Sequence, residues 1–227
     1  NRSSDLRADH AAIIQDKLKN SKRLFTASTI GALRMKKDNA EQNILRINAY
    51  QADLAMQRAW DIIKPGLTEE NIGLEIQNSF SDQGASPQFS IIASGKNSAF
   101  PHHQTGSTIL KKGDSIVIDL GGRFEGYASD ITRMLTIGSP PKDYALVHQI
   151  VEDAICAALT ASIPGEIARN VDKAARQVIE RAGFGKYFVH RTGHGLGTEI
   201  HEPPFITSTS ETILKPGMVF SIEPGIY

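Results

Sequence analysis

Apolar positions recur at helical spacing in several stretches of this 227-residue chain and at alternate positions in others. Ile44, Leu45, Ile47, Ala49, Leu54, Ala55 and Trp60 form one face of a long helix that starts in the polar run Lys36 to Gln42 and ends near Ile62. Thr68 to Gln83, Tyr144 to Leu159 and Glu166 to Ala182 carry the same period. Asp9 to Lys19 is a shorter helical pattern, and Leu24 to Leu33 is mixed and partly strand-like. Gln88 to Ala93 reads as extended, Gly113 to Ile137 alternates as a β-hairpin, and the Gly- and His-rich Phe184 to Pro204 reads as strands with tight turns.

The order of these elements repeats. Ile63-Lys64-Pro65-Gly66 separates the first two long helices, and Ser162-Ile163-Pro164-Gly165 separates the second two. Leu110-Lys111-Lys112-Gly113 leads into Ser115 to Asp119, and Leu214-Lys215-Pro216-Gly217 leads into Val219 to Glu223. Each half reads helix, Pro-Gly turn, helix, irregular stretch, Leu-Lys-x-Gly, then a strand that ends in a carboxylate. This predicts a duplicated fold. A strand that carries its acid at the inner end of an apolar run places charge where burial penalises it. Doing so in both halves aims two carboxylates at one shared cation. Residues 1–37 have no duplicate and read as an appendage or the remnant of a preceding domain, ahead of a domain at 38–227.

Asp130 joins this set through the hairpin. With a turn centred between Phe124 and Glu125, Asp119 and Asp130 face each other, and directly opposed Cβ atoms lie about 5 Å apart. One acid is then protonated, or a cation sits between them, or both fray into solvent at the hairpin end. His190, His194 and His201 fall within twelve residues, separated by glycines that let backbone and side chains crowd together. The spacing is not His-Glu-x-x-His on a helix, which disfavours a helical zinc-protease site. His102, in Pro101-His102-His103-Gln104, precedes the first acid-bearing strand and on its own reads as a loop residue. Asp119, Asp130, one histidine and Glu223 make an oxygen-rich donor set. That mixture suits hard divalent ions such as Mn²⁺, whereas structural Zn²⁺ takes thiolates or more imidazole. Two ions bridged by a carboxylate point to hydrolysis.

Composition narrows the setting. Lys plus Arg equals Asp plus Glu at 25 each, so nucleic acid and anionic membrane are not the expected partners. No stretch reaches the length of a membrane span, and the N-terminus shows no signal-peptide pattern. The single cysteine, Cys156, reads as a small buried hydrophobe in a reducing compartment, so cytoplasm is the expected location.

Ile118-Asp119-Leu120-Gly121, Gly126 to Arg133, His190-Arg191-Thr192-Gly193-His194-Gly195-Leu196-Gly197, His201-Glu202-Pro203-Pro204 and Ser221-Ile222-Glu223-Pro224-Gly225 together resemble the Xaa-Pro peptidases. These are aminopeptidase P and prolidase, of the pita-bread metallopeptidase superfamily. The resemblance runs from about Met35 to Tyr227. It implies an α+β, duplicated pita-bread fold, with a curved antiparallel sheet flanked by helices in pseudo-two-fold halves. It implies Asp119, Asp130, His194 and Glu223 as metal ligands, His102 and His201 as catalytic residues, and His190 on the proline side of the substrate pocket. Two divalent ions, Mn²⁺ first with Co²⁺ or Zn²⁺ as alternatives, would hold a bridging hydroxide. That hydroxide would attack the bond between an N-terminal residue and proline in a peptide substrate. A methionine aminopeptidase-like enzyme and a non-catalytic peptide-binding module remain the alternatives, and a homodimer is left open. The family pattern has one more glutamate ligand on a strand after Glu223. The residues given are therefore expected to belong to a longer enzyme, to hold an incomplete metal site and to show little activity.

Overall fold

The structure, a computed structural model, describes residues 8–20 and 30–227. Helix α1 spans Ala8–Lys17 and the short α2 spans Ile30–Arg34. The strand-like reading of 24–29 lies outside the described residues, and Ile30 to Leu33, grouped with it, is helical. Helix α3 (Asn39–Ile62) begins where Asp38 accepts from the Glu41 N–H and the Glu41 carboxylate accepts from the Asp38 N–H, at 2.9 and 2.8 Å. Thr68 and Asn71 make the same reciprocal cap at the start of α4 (Glu69–Asp82). Such caps satisfy backbone donors that have no partner inside the helix.

Strands β1 (Ser86–Ser94) and β4 (Ile131–Thr136) flank β2 (Ser115–Phe124) in an antiparallel sheet, with the two-residue β3 (Tyr127–Ala128) closing the hairpin. Along β2, Ile116, Ile118 and Leu120 are fully buried. They pack with Ala52, Ala55 and Met56 of α3 and Ile72, Ile76 and Phe80 of α4. Burying each large side chain stabilises the fold by about 1.5–3 kcal/mol. Since side chains alternate along a strand, Val117 and Asp119 point away from the helices.

Helices α5 (Tyr144–Ala161) and α6 (Ala168–Arg181) build the second core from Ile150, Ala154, Ala158, Val171, Ala175 and Ile179, with Phe188, Ile206 and Leu214. Helix α6 starts two residues later than the periodicity predicts because the Glu166 carbonyl accepts from Leu214 and is unavailable to the helix. Cys156 is exposed, contrary to the expectation of burial, because α5 turns Ala154 and Ala158 inward instead. Strands β5 (Gly193–Gly195) and β6 (Glu202–Ile206) pair antiparallel.

Val219 to Glu223 does not form the regular strand expected of it. It runs extended beside β5, held by Leu196 N–H to Val219 O at 3.0 Å, Ser221 N–H to His194 O at 2.8 Å and Glu223 N–H to Thr192 O at 2.8 Å. The ladder is short because β5 itself is three residues long, and a single bridge, Gly195 to Phe220, pairs the segment with it.

The internal repeat is present bond for bond. In the first half, Gly66, Leu110, Glu69 and Glu70 donate to Leu110, Leu67, Thr108 and Gly106 at 3.0, 2.8, 3.0 and 3.1 Å. In the second, Gly165, Leu214, Ala168 and Arg169 donate to Leu214, Glu166, Thr212 and Ser210 at 2.9, 2.8, 2.8 and 3.2 Å. Gly66 and Gly165 both turn at φ +94°, a left-handed conformation that glycine enters without steric cost.

Candidate metal centre

Asp119 lies mid-strand on β2, and its Cα partner on β4 is Thr132. The expectation that Asp119 directly opposes Asp130 is therefore corrected by one turn residue. The hairpin turns through Glu125 and Gly126, both at positive φ, with Phe124 paired to Tyr127. Asp130 sits two residues before Thr132, a diagonal neighbour of Asp119, between the paired stretches. The Thr132 hydroxyl donates to Asp119 Oδ1 at 2.9 Å. Burial, and then the negative charges of Asp130 and Glu223, push the Asp119 carboxyl up to about 7 despite that hydrogen bond.

His194 is the middle residue of β5 and is 2% exposed. A Cβ on Gly193 would meet the Ser221 carbonyl oxygen at 1.9 Å, and one on Gly195 would meet the Pro203 oxygen at 2.3 Å. Glycines on both sides thus let the Ser221 and Pro203 backbones lie flush against β5. The imidazole is aimed by Nδ1, 3.1 Å from the Gly195 carbonyl, so Nδ1 carries the proton that it donates there. Nε2 is left facing Glu223 Oε1 at 3.0 Å and Asp130 Oδ2 at 3.4 Å. Burial opposes a charge on this ring, but hydrogen bonds with Asp130 and Glu223 outweigh it and raise the imidazole to about 9. Glu223 is buried as well, yet hydrogen bonds from His194 and Ser221 hold its carboxyl below the ordinary range. The Ser221 hydroxyl donates to Glu223 Oε1 at 2.7 Å.

His201 stacks edge-on against His194, ring centroids 4.2 Å apart. Asp130, His194 and His201 each offer a ligand atom, all within 4.8 Å of one another. Burial, then the nearby positive charges of His194 and Arg191, lower the His201 imidazole. His190 presents its ring edge-on to Phe188 and to Tyr227, at 5.2 and 5.3 Å. Its Nδ1 lies 2.8 Å from the Arg191 carbonyl, while its Nε2 is buried with no hydrogen-bond partner among the described residues. Burial and the charges of Asp119 and Glu223 drive the Tyr227 phenol up to about 12, which places it beside the same cluster.

The structure therefore gathers Asp119, Asp130, His194, His201 and Glu223, with His190 reaching the group through Tyr227. Among the described residues, no hydrogen bond draws His102 in. It is exposed, on a loop anchored by its neighbour His103, whose Nε2 lies 2.8 Å from buried Glu69. The sequence reading missed Thr132, Ser221 and Tyr227. Ser221 was discoverable, since it lies two residues before Glu223, the spacing that puts both on one side of an extended segment.

A carboxylate cluster closing on one imidazole nitrogen retains either a proton or a cation. Here the donors are carboxylate oxygens plus imidazole, and the ring's other nitrogen is fixed on a carbonyl, as metal-bound histidines usually are. The residues fit one or two hard divalent ions.

The sequence pattern of metallopeptidase family M24 matches residues 43–227. The chain is 42% identical over 206 residues to a probable dipeptidase PepE of Mycobacterium tuberculosis, covering 90% of this chain and 55% of that protein. It is 41% identical over 197 residues to a Xaa-Pro dipeptidase of Pyrococcus furiosus, covering 86% of this chain and 57% of that one. Among solved structures, it superposes on the dipeptidase PepE of Mycobacterium ulcerans with a TM-score of 0.93 at 39% identity, over 98% of this chain and 60% of that chain. Prolidase from Pyrococcus furiosus gives 0.91 at 38%, over 98% and 66%. The chain thus spans little more than half the length of the curated relatives it matches. The duplicated helix-and-sheet halves are those of the pita-bread fold, and the chain belongs to metallopeptidase family M24.

Proposed function

We propose that this chain carries the catalytic domain of a peptidase that hydrolyses the bond between an N-terminal residue and proline. The observation that carries the reading is His194 Nε2, held between the carboxylates of Asp130 and Glu223 and within ligand reach of His201. The 41% identity to a Xaa-Pro dipeptidase supports the substrate class. Residues 38–227 form the catalytic unit in this reading, with 1–37 leading into it.

Asp119, Asp130, His194 and Glu223 would hold two divalent ions, Mn²⁺ by the hardness of the donors. Bound there, the ions supply Lewis acidity that lowers the pKa of water and polarises a carbonyl. The chain's own groups do the rest. His201, neutral near pH 7 because its imidazole is lowered, is a hydrogen-bond partner for the substrate carbonyl next to the ligand set. His190 offers the unpartnered Nε2 to the proline end of the substrate, with the Phe188 and Tyr227 rings forming an apolar wall beside it. His102 is kept on the family resemblance alone, as a residue that would assist near the scissile bond. The free thiol of Cys156 suits a reducing cytoplasm.

The test, made on the full-length protein, is metal analysis together with hydrolysis of a Xaa-Pro dipeptide and a longer peptide with proline second, Asp130→Asn serving as control. Mn²⁺-dependent cleavage that is lost in Asp130→Asn is expected. Release of N-terminal methionine without Xaa-Pro cleavage would overturn the proline reading, and stoichiometric metal without any cleavage would overturn the enzyme reading.

A further inference from the structure

Glu202 follows His201 directly and is 3% exposed, yet its two carboxylate oxygens are fully engaged. Oε1 accepts from Lys37 Nζ at 2.7 Å, with the two side chains 1% and 4% exposed. Oε2 accepts from Arg34 Nη2 at 2.8 Å and from the Glu199 N–H at 3.2 Å. Arg34 also donates to the Thr198 hydroxyl. Both cations come from residues ahead of the duplicated unit, the part expected to be an appendage. Space for the lysine is made by Gly197, where a Cβ would meet Glu202 Oε1 at 2.6 Å and the Lys37 stem at 2.9 Å.

Lys37 is also tied by its backbone to the other acid-bearing segment. Its N–H donates to the Gly217 carbonyl at 2.8 Å, and Lys36 bridges to Met218. Its carbonyl accepts from the Gln42 side chain at 3.0 Å, beside the Asp38 cap of α3. One residue therefore touches the start of the first half, the segment leading to Glu223 and the loop between His194 and His201. A buried ammonium is costly unless paired, and removing one member of such a pair leaves the other charge stranded.

We propose that Lys37, assisted by Arg34, is a positioning residue: its ammonium, buried against Glu202, sets the 196–202 loop so that His201 lies against His194. The proposal rests on the reading of His201 as a residue that contacts substrate. The Lys37 ammonium is enclosed against Glu202, outside the Asp130–His194–His201 group, and so acts through His201.

The experiment uses the full-length, metal-loaded protein with Lys37→Met, Lys37→Arg, His201→Ala and the Lys37→Met/His201→Ala pair. Lys37→Met is expected to lower kcat on a Xaa-Pro dipeptide by about 10-fold or more with KM changed by less than about threefold. Lys37→Arg restores most of it. In the His201→Ala background, Lys37→Met should add less than about a twofold further loss, because residues acting as a unit are non-additive. An equal loss in both backgrounds, or unchanged kcat in folded Lys37→Met, overturns the proposal.

Amide hydrogen exchange at Leu196, Gly197 and Glu199 gives a second readout that needs no turnover. It should quicken in Lys37→Met and in Arg34→Gln and stay normal in Lys37→Arg; unchanged protection in the first two overturns the proposal. If Lys37→Met does not fold, Arg34→Gln, which keeps the Lys37–Glu202 pair, carries the same kinetic comparison. Failure of the unmutated protein to cleave any Xaa-Pro bond would strike the peptidase reading, while the exchange data would still decide the role of Lys37.

Discussion

Asp119 and Glu223 occupy the same place in the two halves of the repeat. Leu110 and Leu214 each exchange backbone hydrogen bonds with the segment after a Pro-Gly turn, and each acid follows its leucine by the same number of residues. The carboxylates nevertheless differ in state. Asp119 is pushed up to about 7, while Glu223 is held below its ordinary range by His194 and Ser221. Duplication set the positions, and the later sequence of each half set the charge.

That asymmetry predicts how the metal-free protein responds to Asp119→Asn. The carboxylate at 119 is destabilising once ionised, since burial and two neighbouring acids oppose its charge. Removing it should raise the thermal midpoint of the metal-free protein at pH 8 by several degrees and, if Asp119 is a ligand as proposed, weaken divalent-metal binding by about 100-fold. Differential scanning calorimetry with and without metal checks both, and a lower midpoint in the metal-free variant would contradict the electrostatic argument.

Asp119 and His194 also set a pH dependence. For Asp119, a folded pKa raised from 3.8 to about 7 means that stability falls as pH climbs through that interval. For His194, raised from 6.5 to about 9, the protonated ring stabilises the fold fully below 6.5, and that contribution is lost as pH rises through 9. Both act in the same direction, so the metal-free protein should weaken steadily from mildly acid to alkaline pH. If His194 is a ligand as proposed, metal takes the place of its proton, and calorimetric titration near pH 7.5 in buffers of differing ionisation enthalpy should show net proton release.

Glu69 predicts the opposite limb. Burial opposes its charge, but hydrogen bonds from Asn97, His103 and Ser94 outweigh that and hold its carboxyl below 4.5. It accepts from the Ser94 N–H and hydroxyl, the Asn97 amide and the Gly106 N–H, and pairs with the His103 ring. Its contribution is present above the unfolded pKa and lost as pH falls through the lower folded value. Glu69→Gln should cost about 2–4 kcal/mol in urea unfolding at pH 7, since the amide turns a donor toward donors. The difference should shrink below pH 4.

Gly193→Ala should be among the most damaging small changes. The added methyl would meet the Ser221 carbonyl oxygen at 1.9 Å, so the Val219 to Glu223 segment must move away from β5. We expect a loss of about 3 kcal/mol or more, with metal stoichiometry falling alongside it. A variant of normal stability and full metal content would show that the contact relaxes freely.

The four long helices and the duplication were legible because periodicity and turn residues are local signals, but the inward face of α3 was not: Ile47, Leu54 and Trp60, expected on its apolar face, are exposed, and Asn48, Gln51, Ala52 and Met56 are buried instead. Thr68 and Gln83, predicted as the ends of a helix, are the two caps of α4. Hairpin register was misread because Glu125 takes φ +51°, a conformation seldom assigned to glutamate, which shifted the turn by one residue. Asp119, Asp130, His194 and Glu223 stood out as charge or imidazole beside glycine or β-branched runs. Lys37 did not, because nothing local distinguishes it from Lys36 and its carboxylate partner lies 165 residues away. Long-range ion pairs leave no periodic trace.

The paired backbone bonds that define each half have a kinetic meaning. All four lie within a half, and each half closes its own apolar core. Each half is therefore expected to open and close as a cooperative unit of its own, which native-state exchange would read. Asp119 and His194 become neighbours only when the finished halves dock, through bonds such as Ala128 N–H to Gly197 O. Divalent metal then acts as a reporter of docking: it should slow exchange at the seam between halves while leaving the two helix pairs almost untouched.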